Sequence, residues 1–390
     1  MKGRAVAAIT GLGHSVIGRQ WSGNARELAA AAVVAAVRDA GLQGRDIGGL
    51  LLARSPIQAP ADLPLRLQVD LAFKDLSVLS AIDASGTSFL QAIHYAQMAV
   101  GQGQAEHIVC VFADTPLLPQ VPGQKSFSRV MPLIGVDGWE AMVGLYGAPG
   151  AFALMAFRWM AQRSAGADDL GAYVRSVRLW ASLNPLAMQK KLMTQEDYLA
   201  SPLVVEPLRV ADCAYPANGA IAVVVSGASA ARGMTQAVFI NALARFHGGR
   251  IEPGGDVPGG ITGAAVVARA VYADAGVSAR DMAMLQTYDA FSFLGLMALE
   301  DYGFCARGEA GAFVQAQQIA PGGSLPMNTG GGLLAGFYLQ GATPVHEAVV
   351  QLRGAAGERQ VARRGPTLVG GIGGRYEHHA AMILSLEEQL

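Results

Sequence analysis

The sequence predicts an α/β protein made of two similar halves, in which buried strands alternate with helices. An internal repeat carries this prediction: residues 39–50, DAGLQGRDIGGL, return as residues 274–285, DAGVSARDMAML. A second and looser repeat relates residues 89–112 to residues 344–371. The material between the halves follows neither pattern. A repeated succession of helix, turn and apolar strand is typical of mixed sheets with helices on both faces.

The elements follow from the repeat in order. Each copy of the first repeat comes after an alanine-rich helical stretch, and Gly41 and Gly276 stand where a helix C-cap is expected. The apolar run behind each turn predicts a strand, and residues 220–227 form a further fully apolar strand. The predicted division is residues 1–114 and 207–229 for the first half, residues 115–206 for an inserted loop domain, and residues 230–390 for the second half.

Composition excludes several classes of protein. The chain has 390 residues, of which 52% are hydrophobic and 15% charged. Its most apolar stretch, residues 29–37, is flanked by charged residues and is too short to span a membrane. A net charge of −1 gives no reason to expect a nucleic acid or an anionic membrane as partner. The start of the sequence lacks a long apolar segment typical of a signal peptide, so we predict a cytoplasmic protein.

Cysteine usage agrees with a reducing compartment. The three cysteines, Cys110, Cys213 and Cys305, form no Cys-x-x-Cys motif and no even framework of disulfides. A structural zinc site made by this chain alone is therefore not expected, and the sequence predicts neither a metal nor a bound cofactor.

Four loops are candidates for a functional site. Asp83-Ala84-Ser85-Gly86 lies between a strand and a helix, where small residues suit a nucleophile or an anion-binding helix start, although Asp83 or Ser85 could simply cap the helix. Gly330–Gly332 precede Tyr338, and such a glycine run indicates backbone near a ligand or positive φ, or a flexible loop. The other two loops are Tyr288-Asp-Ala-Phe and Gly370–Gly374, the latter followed by His378 and His379, of which at most one can face a common site.

Several motifs occur together in an order that resembles the thiolase superfamily. They are "DC..P..GA.A", "YDAFS", "GFC..GEA..F", "LPMNTGGG" and "QLRGAAGERQV", and they cover nearly the whole chain. The resemblance is nearest to the sterol-carrier-protein-X-like, or "lipid-transfer protein", branch. It implies the five-layered thiolase fold of two related βαβαβαββ halves, assembled as a homodimer through the sheet of the first half.

The chain departs from this family at the residues that carry thiolase chemistry. Asp83 stands where thiolases have their nucleophilic cysteine, and Tyr338 stands where they have a histidine. Tyr288 replaces a histidine of this branch, and the loop Gly370–Gly374 lacks the second cysteine. None of the three cysteines matches a catalytic position, so acyl transfer by a thiolate is not expected.

The resemblance to cysteine-less retro-aldolases of steroid side-chain degradation implies a different reaction, the retro-aldol cleavage of a β-hydroxyacyl-CoA. Tyr288 and Tyr338 would be the proton-transfer pair, with their pKa lowered from about 10 toward neutrality by their surroundings. The further site residues predicted are Asp83, Ser85 and His379 for catalysis, and Gly331, Gly332, Gly373 and Gly374 for binding the thioester. Two alternatives stay open: acyl transfer, as in acetyl-CoA acetyltransferases, through Ser85, and a non-catalytic subunit that binds CoA or lipid.

The expected partners also follow from the resemblance. Coenzyme A would arrive as part of the substrate. A homodimer is expected, together with a small partner protein that combines a zinc ribbon with an OB-fold.

Overall fold

The structure is a computed structural model and describes residues 4–55, 63–118, 121, 135–145, 147–234, 236–248 and 262–390. Its strands are β1 (Ala7–His14), β2 (Gly49–Ala53), β3 (Val78–Ile82), β4 (His107–Asp114), β5 (Leu203–Val205), β6 (Leu208–Arg209), β7 (Gly219–Gly227), β8 (Val238–His247), β9 (Met284–Thr287), β10 (Thr367–Gly373) and β11 (His378–Ser385). Its α-helices are α1 (Ala25–Asp39), α2 (Leu63–Asp70), α3 (Ser88–Gly101), α4 (Gly135–Met142), α5 (Gly147–Arg163), α6 (Ala167–Ser182), α7 (Gln195–Ala200), α8 (Ala228–Ala231), α9 (Gly263–Ala275), α10 (Ser292–Asp301), α11 (Ala310–Gln315) and α12 (Ala342–Leu352).

The first half is a five-stranded part of the sheet with the order β3-β2-β4-β7-β1. Strand β2 runs parallel to β3 and to β4, whereas β7 is antiparallel to β4 and β1. Because β2, β3 and β4 point the same way, the residues that follow them come out at one edge of the sheet. The 83–86 turn therefore leaves the sheet beside Ser55 and Asp114.

The second half continues the same sheet with the order β8-β11-β10-β9, which mirrors β1-β7-β4-β2. Two residue pairs, Ala8↔Phe239 and Ile9↔Val238, join the halves. Within the described residues, the position of a third strand holds only the isolated bridge Leu285↔Met327. Pro326 comes directly before Met327 and cannot donate a hydrogen bond to a ladder, which agrees with this shortened pairing.

The two copies of the sequence repeat have the same local structure. Gly41 ends α1 with φ +70° and Gly276 ends α9 with φ +74°. A 3₁₀ turn follows in each case, and its aspartate accepts a hydrogen bond from a backbone N–H three residues earlier: Gln43 N to Asp46 at 2.8 Å, and Ser278 N to Asp281 at 2.7 Å. The repeat predicted two similar α/β halves, and the thiolase-like fold that the family resemblance implied is confirmed.

The segment between β4 and β7 holds helices α4 to α7 and packs mainly against the second half. Phe152, Tyr173 and Val177 share one hydrophobic cluster with residues of α9 and α10. The Trp180 indole N–H donates to the Ile319 carbonyl oxygen at 2.8 Å. The β5–β6 hairpin spans the predicted boundary at residue 206. None of the helices in the described ranges has the length and apolarity that a membrane span requires.

Candidate active site

Two tyrosine side chains form the centre of the candidate site. The phenolic oxygens of Tyr288 and Tyr338 are 2.7 Å apart and hydrogen-bonded to each other. Their rings are 6.1 Å apart and nearly perpendicular, at 77°. Tyr288 is buried and Tyr338 half-buried. The sequence-based prediction placed these residues in one cavity from two separate loops, and their side chains do meet.

The fold holds each tyrosine by its backbone. Tyr288 follows β9 directly, and its N–H donates to the Gly370 carbonyl oxygen at 3.1 Å. Tyr338 follows a π-helical turn, Gly332–Gly336, and its N–H donates to the Tyr215 carbonyl oxygen at 3.1 Å. The segment before β7 thus positions Tyr338, while the middle of the glycine-rich strand β10 positions Tyr288.

The 83–86 turn lies against both the Tyr288 ring and the last glycine loop. A Cβ added at Gly86 would lie 2.8 Å from Tyr288 Cε2 and would overlap the Ile372 carbonyl oxygen. A Cβ added at Gly373 would lie 2.6 Å from the Ala84 carbonyl oxygen. Glycine at both positions lets these three segments come this close.

Asp83 and Ser85 occupy different environments within this turn. The Asp83 carboxylate is exposed and forms an ion pair with Arg54 at 3.5 Å. Ser85 has φ +53° and its carbonyl oxygen accepts from the Ser88 hydroxyl at 2.6 Å. Among the described residues, no hydrogen bond reaches the Ser85 hydroxyl. Ser85 therefore has no adjacent base there, and the catalytic roles predicted for Asp83 and Ser85 stay predictions.

His379 is fully buried beside a strained tyrosine. Its Nε2 lies 2.9 Å from the Tyr376 carbonyl oxygen, and the two rings pack edge to face at 4.5 Å. Burial lowers the pKa of His379 to about 4, so the imidazole is neutral at pH 7. Tyr376 has φ +76°, and its hydroxyl donates to Asp301 at 2.7 Å. These contacts join His379 to Tyr376 in the turn that follows Gly374, and the catalytic role of His379 stays a prediction.

The glycine loop, residues 328–341, is built around Asp289. This carboxylate accepts hydrogen bonds from the Leu333 N–H at 2.7 Å and from the Tyr173 hydroxyl at 2.9 Å. Gly331 has φ +93° and Gly332 has φ +59°, as the glycine run predicted. Asp289 thereby ties the glycine loop to helix α6 of the inserted segment. No role was predicted for Asp289 from the sequence, although it comes directly after Tyr288.

Gly332→Ala is expected to lower the free energy of unfolding by about 2 kcal/mol or more, since an L side chain is disfavoured at this positive φ. The new Cβ would also lie 2.6 Å from Asp289 Oδ1 and overlap the other carboxylate oxygen. Gly322→Ala is the matched control, because Gly322 has φ +85° with open space around it. Urea unfolding of both variants measures the difference. Equal destabilisation of the two would show that contact with Asp289 does not constrain the loop.

The structure changes the expected acidity of the two phenols. Burial, together with the Tyr338 phenol and the Asp289 carboxylate, raises the pKa of Tyr288 well above its usual value. Burial also raises the pKa of Tyr338 to about 12. The prediction that both pKa values would be lowered toward neutrality is wrong, because burial disfavours the charged phenolate, and the carboxylates Asp289 and Asp114 act in the same direction. The phenols are thus hydrogen-bond donors at pH 7, and a separate group has to receive a proton from them.

The three thiols are poor nucleophiles in this fold. Cys110 is fully buried in β4, and burial raises its pKa above the usual range. Burial likewise raises the pKa of Cys213 and of Cys305 to about 12. A thiolate is the reactive form of cysteine, so these environments disfavour covalent catalysis at neutral pH.

Asp114, like Asp289, is an ionisable residue near the tyrosine pair that was not predicted from the sequence. Asp114 ends β4, is only 3% exposed and acts electrostatically on Tyr338. An available signal was its place at the end of an apolar strand that runs parallel to the strand before the 83–86 turn. Within the described ranges, no group of three or more histidine, cysteine, aspartate or glutamate side chains could hold a metal ion.

Comparison of the sequence and fold with known proteins identifies the family. Residues 257–386 match the family model described as "Thiolase C-terminal domain-like". The chain is 31% identical over 366 residues to the 17-hydroxy-3-oxo-4-pregnene-20-carboxyl-CoA lyase of Mycobacterium tuberculosis, covering 90% of this chain and 92% of that protein. It is 29% identical to an acetyl-CoA acetyltransferase of Methanothermobacter thermautotrophicus, covering 95% and 98%. A solved structure described as "Ltp2-ChsH2(DUF35) aldolase" matches with a TM-score of 0.84 at 29% identity and covers 97% of each chain.

The fold and these similarities define the class: the chain belongs to the thiolase superfamily. Within the superfamily it falls in the sterol-carrier-protein-2-like branch, and it is a thiolase-like enzyme.

Proposed function

We propose that this enzyme cleaves a β-hydroxyacyl-CoA by a retro-aldol reaction, without a covalent acyl-enzyme. The observation that carries the proposal is the 2.7 Å hydrogen bond between the Tyr288 and Tyr338 phenols. The pair lies beside the 83–86 turn, and the resemblance to thiolases implies that Asp83 stands where they hold their nucleophilic thiol. A site with paired proton-transfer groups and no thiol suits enolate chemistry.

The reaction needs one proton to move and one C–C bond to break. A base accepts the proton of the β-hydroxyl group, and the Cα–Cβ bond electrons move to Cα and the thioester carbonyl. The products are a ketone or aldehyde and the enolate of the shortened thioester. Protonation of Cα then gives the shortened acyl-CoA. The proton lost by the hydroxyl group equals the one gained at Cα, so no oxidant, reductant or water is consumed.

Similarity supports this reaction class and suggests the first substrates to test. The mycobacterial relative is named as a lyase of a steroid carboxyl-CoA, and the solved structure is described as an aldolase. We therefore propose a bulky, apolar β-hydroxyacyl-CoA, with a steroid side-chain thioester as the first candidate.

The test is an assay of purified protein with a β-hydroxyacyl-CoA, following the carbonyl product and the shortened acyl-CoA together. Equal amounts of both products, with no mass increase of the protein, support the proposal. Acyl transfer through Ser85 is the rival, since a relative is an acetyl-CoA acetyltransferase. An acyl adduct that disappears in Ser85→Ala would decide for acyl transfer. Absence of both turnover and adduct, in the lone chain and with its partner, would favour a non-catalytic subunit.

Replacing Cys110, Cys213 or Cys305 by serine is expected to leave turnover within about twofold, because none of the thiols is positioned or ionised for catalysis. Thiol-blocking reagents are expected to inhibit weakly. Steady-state assays of the three variants and of the blocked enzyme check this. Complete loss of activity in one Cys→Ser variant that keeps its fold would show that the enzyme uses thiolate chemistry.

We also propose that the enzyme works as a homodimer with a small partner that combines a zinc ribbon and an OB-fold. The sheet ends at β3, whose residues after Val78 are only partly buried in the single chain. The solved aldolase structure names a second component beside the thiolase-like chain. Light scattering of the purified chain tests the dimer. Full turnover by the lone chain, unchanged on adding such a partner, would remove the partner from the proposal.

A further inference from the structure

Asp114 is a buried carboxyl group at the end of the strands where the site lies. It ends β4 and is 3% exposed. The neighbouring parallel strands end next to it, so that Ser55 and the 83–86 turn come out at the same edge. Its register partner on β7 is Gly219, and three residues before Gly219 the chain pairs with Tyr338 through the bridge Pro216↔Tyr338. The topology thus brings Asp114 and Tyr338 to one end of the strands.

The described groups that hydrogen-bond to Asp114 are neutral. The Thr115 N–H donates to its Oδ1 at 2.9 Å, and the Ser55 hydroxyl donates a second hydrogen bond. Among the described residues no cation forms an ion pair with Asp114, and the nearby strand ends carry the Arg54–Asp83 pair instead. Burial raises the pKa of Asp114 to about 7, so it can gain or lose a proton at neutral pH. Its charge in turn acts on Tyr338.

A retro-aldol reaction at this site needs such a group. Both phenols are protonated at pH 7, because their pKa values are raised. A phenol can accept the substrate proton only if it passes its own proton on. Of the hydrogen-bond partners of Tyr338 among the described residues, Tyr288 is itself a phenol and Gln340 cannot take up a proton.

Resting on the proposed function, we propose that Asp114 is the acid–base partner of Tyr338. During C–C cleavage Asp114 holds the proton that Tyr338 releases when it accepts the substrate's proton. The β-hydroxyl proton passes to the Tyr338 oxygen while the Tyr338 proton passes to the Asp114 carboxylate, through one bridging water. The Cα–Cβ bond breaks, and Cα of the enolate takes a proton from the tyrosine pair. Asp114 then returns its proton to the pair, which restores the starting state. Asp114 never touches the substrate.

The experiment measures kcat as a function of pH for the wild-type enzyme and two variants. The wild-type enzyme is expected to lose activity below about pH 7, because Asp114 has to be ionised. Asp114→Asn should lower kcat by about 100-fold or more and remove this acid limb. Asp212→Asn is the matched control: Asp212 is also a buried carboxyl whose pKa burial raises, but it bonds to Tyr198 and Ser292. The control should keep the limb. A folded Asp114→Asn enzyme with the wild-type kcat and limb would overturn the proposal.

Ser55→Ala tests the same idea with the carboxylate in place. The Ser55 hydrogen bond lowers the pKa of Asp114, so its loss should move the acid limb to higher pH. An unmoved limb in a folded Ser55→Ala enzyme would contradict the assignment.

An infrared titration of the carboxyl C=O band separates this inference from the proposed function. A band that titrates near pH 7, disappears in Asp114→Asn and moves in Tyr338→Phe supports proton sharing between Asp114 and Tyr338, even if no thioester tested is cleaved. Absence of that band, or no shift in Tyr338→Phe, would overturn the inference. Retro-aldol turnover is tested separately by the product assay.

Discussion

Replacing either tyrosine of the pair by phenylalanine is expected to lower the turnover of a β-hydroxyacyl-CoA by about 100-fold or more. Each change removes one hydroxyl group and leaves the ring that packs against its neighbours. Tyr288→Phe leaves the Tyr338 hydroxyl without its 2.7 Å partner, and the reverse holds for Tyr338→Phe. Because the two groups act as a unit, the double variant should lose little more than the worse single variant. Single-turnover product formation is the measurement.

Tyr272→Phe is the matched control for these variants. The Tyr272 hydroxyl donates to the Tyr302 carbonyl oxygen at 2.9 Å, away from the pair, and the side chain is partly buried. Its loss should cost stability and leave turnover near the wild-type level. Near wild-type activity in both Tyr288→Phe and Tyr338→Phe would exclude the phenols from the chemistry.

Arg359→Met is expected to lower the free energy of unfolding by about 3–5 kcal/mol, because it leaves the Glu347 carboxylate buried without its cation. Both side chains are only 6% exposed, and they form a two-pronged ion pair with N···O distances of 3.0 and 3.1 Å. Glu347 also lies beneath the glycine loop, since a Cβ added at Gly330 would be 2.8 Å from its Oε2. The loss should therefore disturb the loop that carries Tyr338. Urea unfolding and turnover measure the two effects.

Two further variants make this test specific. Arg232→Met removes a partner of Glu388 that is half exposed to solvent, and solvent screening should leave the free energy of unfolding nearly unchanged. The double variant Arg359→Met/Glu347→Leu should recover much of the lost stability, because no unpaired charge remains buried. If Arg359→Met costs as little as Arg232→Met, the ion pair does not hold the loop.

The sequence predicted the fold from local signals that the structure keeps. Gly41 and Gly276 end equivalent helices in the left-handed region, and Asp46 and Asp281 cap equivalent 3₁₀ turns. These features depend on residues a few positions apart, so a repeat in sequence is a repeat in structure. The shortened third strand of the second half was not predicted, because strand pairing depends on distant residues.

The sequence predicted where the two tyrosines lie, but it did not predict the electrostatics of the candidate site. The glycine run placed Tyr338 in a tight loop, and the Tyr-Asp-Ala-Phe motif placed Tyr288 after a strand. The direction of both pKa shifts was missed, since it depends on burial and on carboxylates brought close by the fold. Asp114 was missed for the same reason, because it lies more than 200 residues before Tyr338 and is brought to the same end of the strands by the register of β4 with β7.

The segments at the two ends of this sequence hold each other. Arg4 and Gln389 form a bridge, the Ala5 N–H donates to the Glu388 carbonyl oxygen at 2.7 Å, and the Glu388 side chain forms ion pairs with Arg4 and Arg232. A short covalent joint between residues 389 and 4 would therefore disturb little of the sheet. A chain so joined and reopened after α8 would be a circular permutant that encodes the second half first. We expect such a permutant to pack its two halves in the same way, with only their order along the chain exchanged.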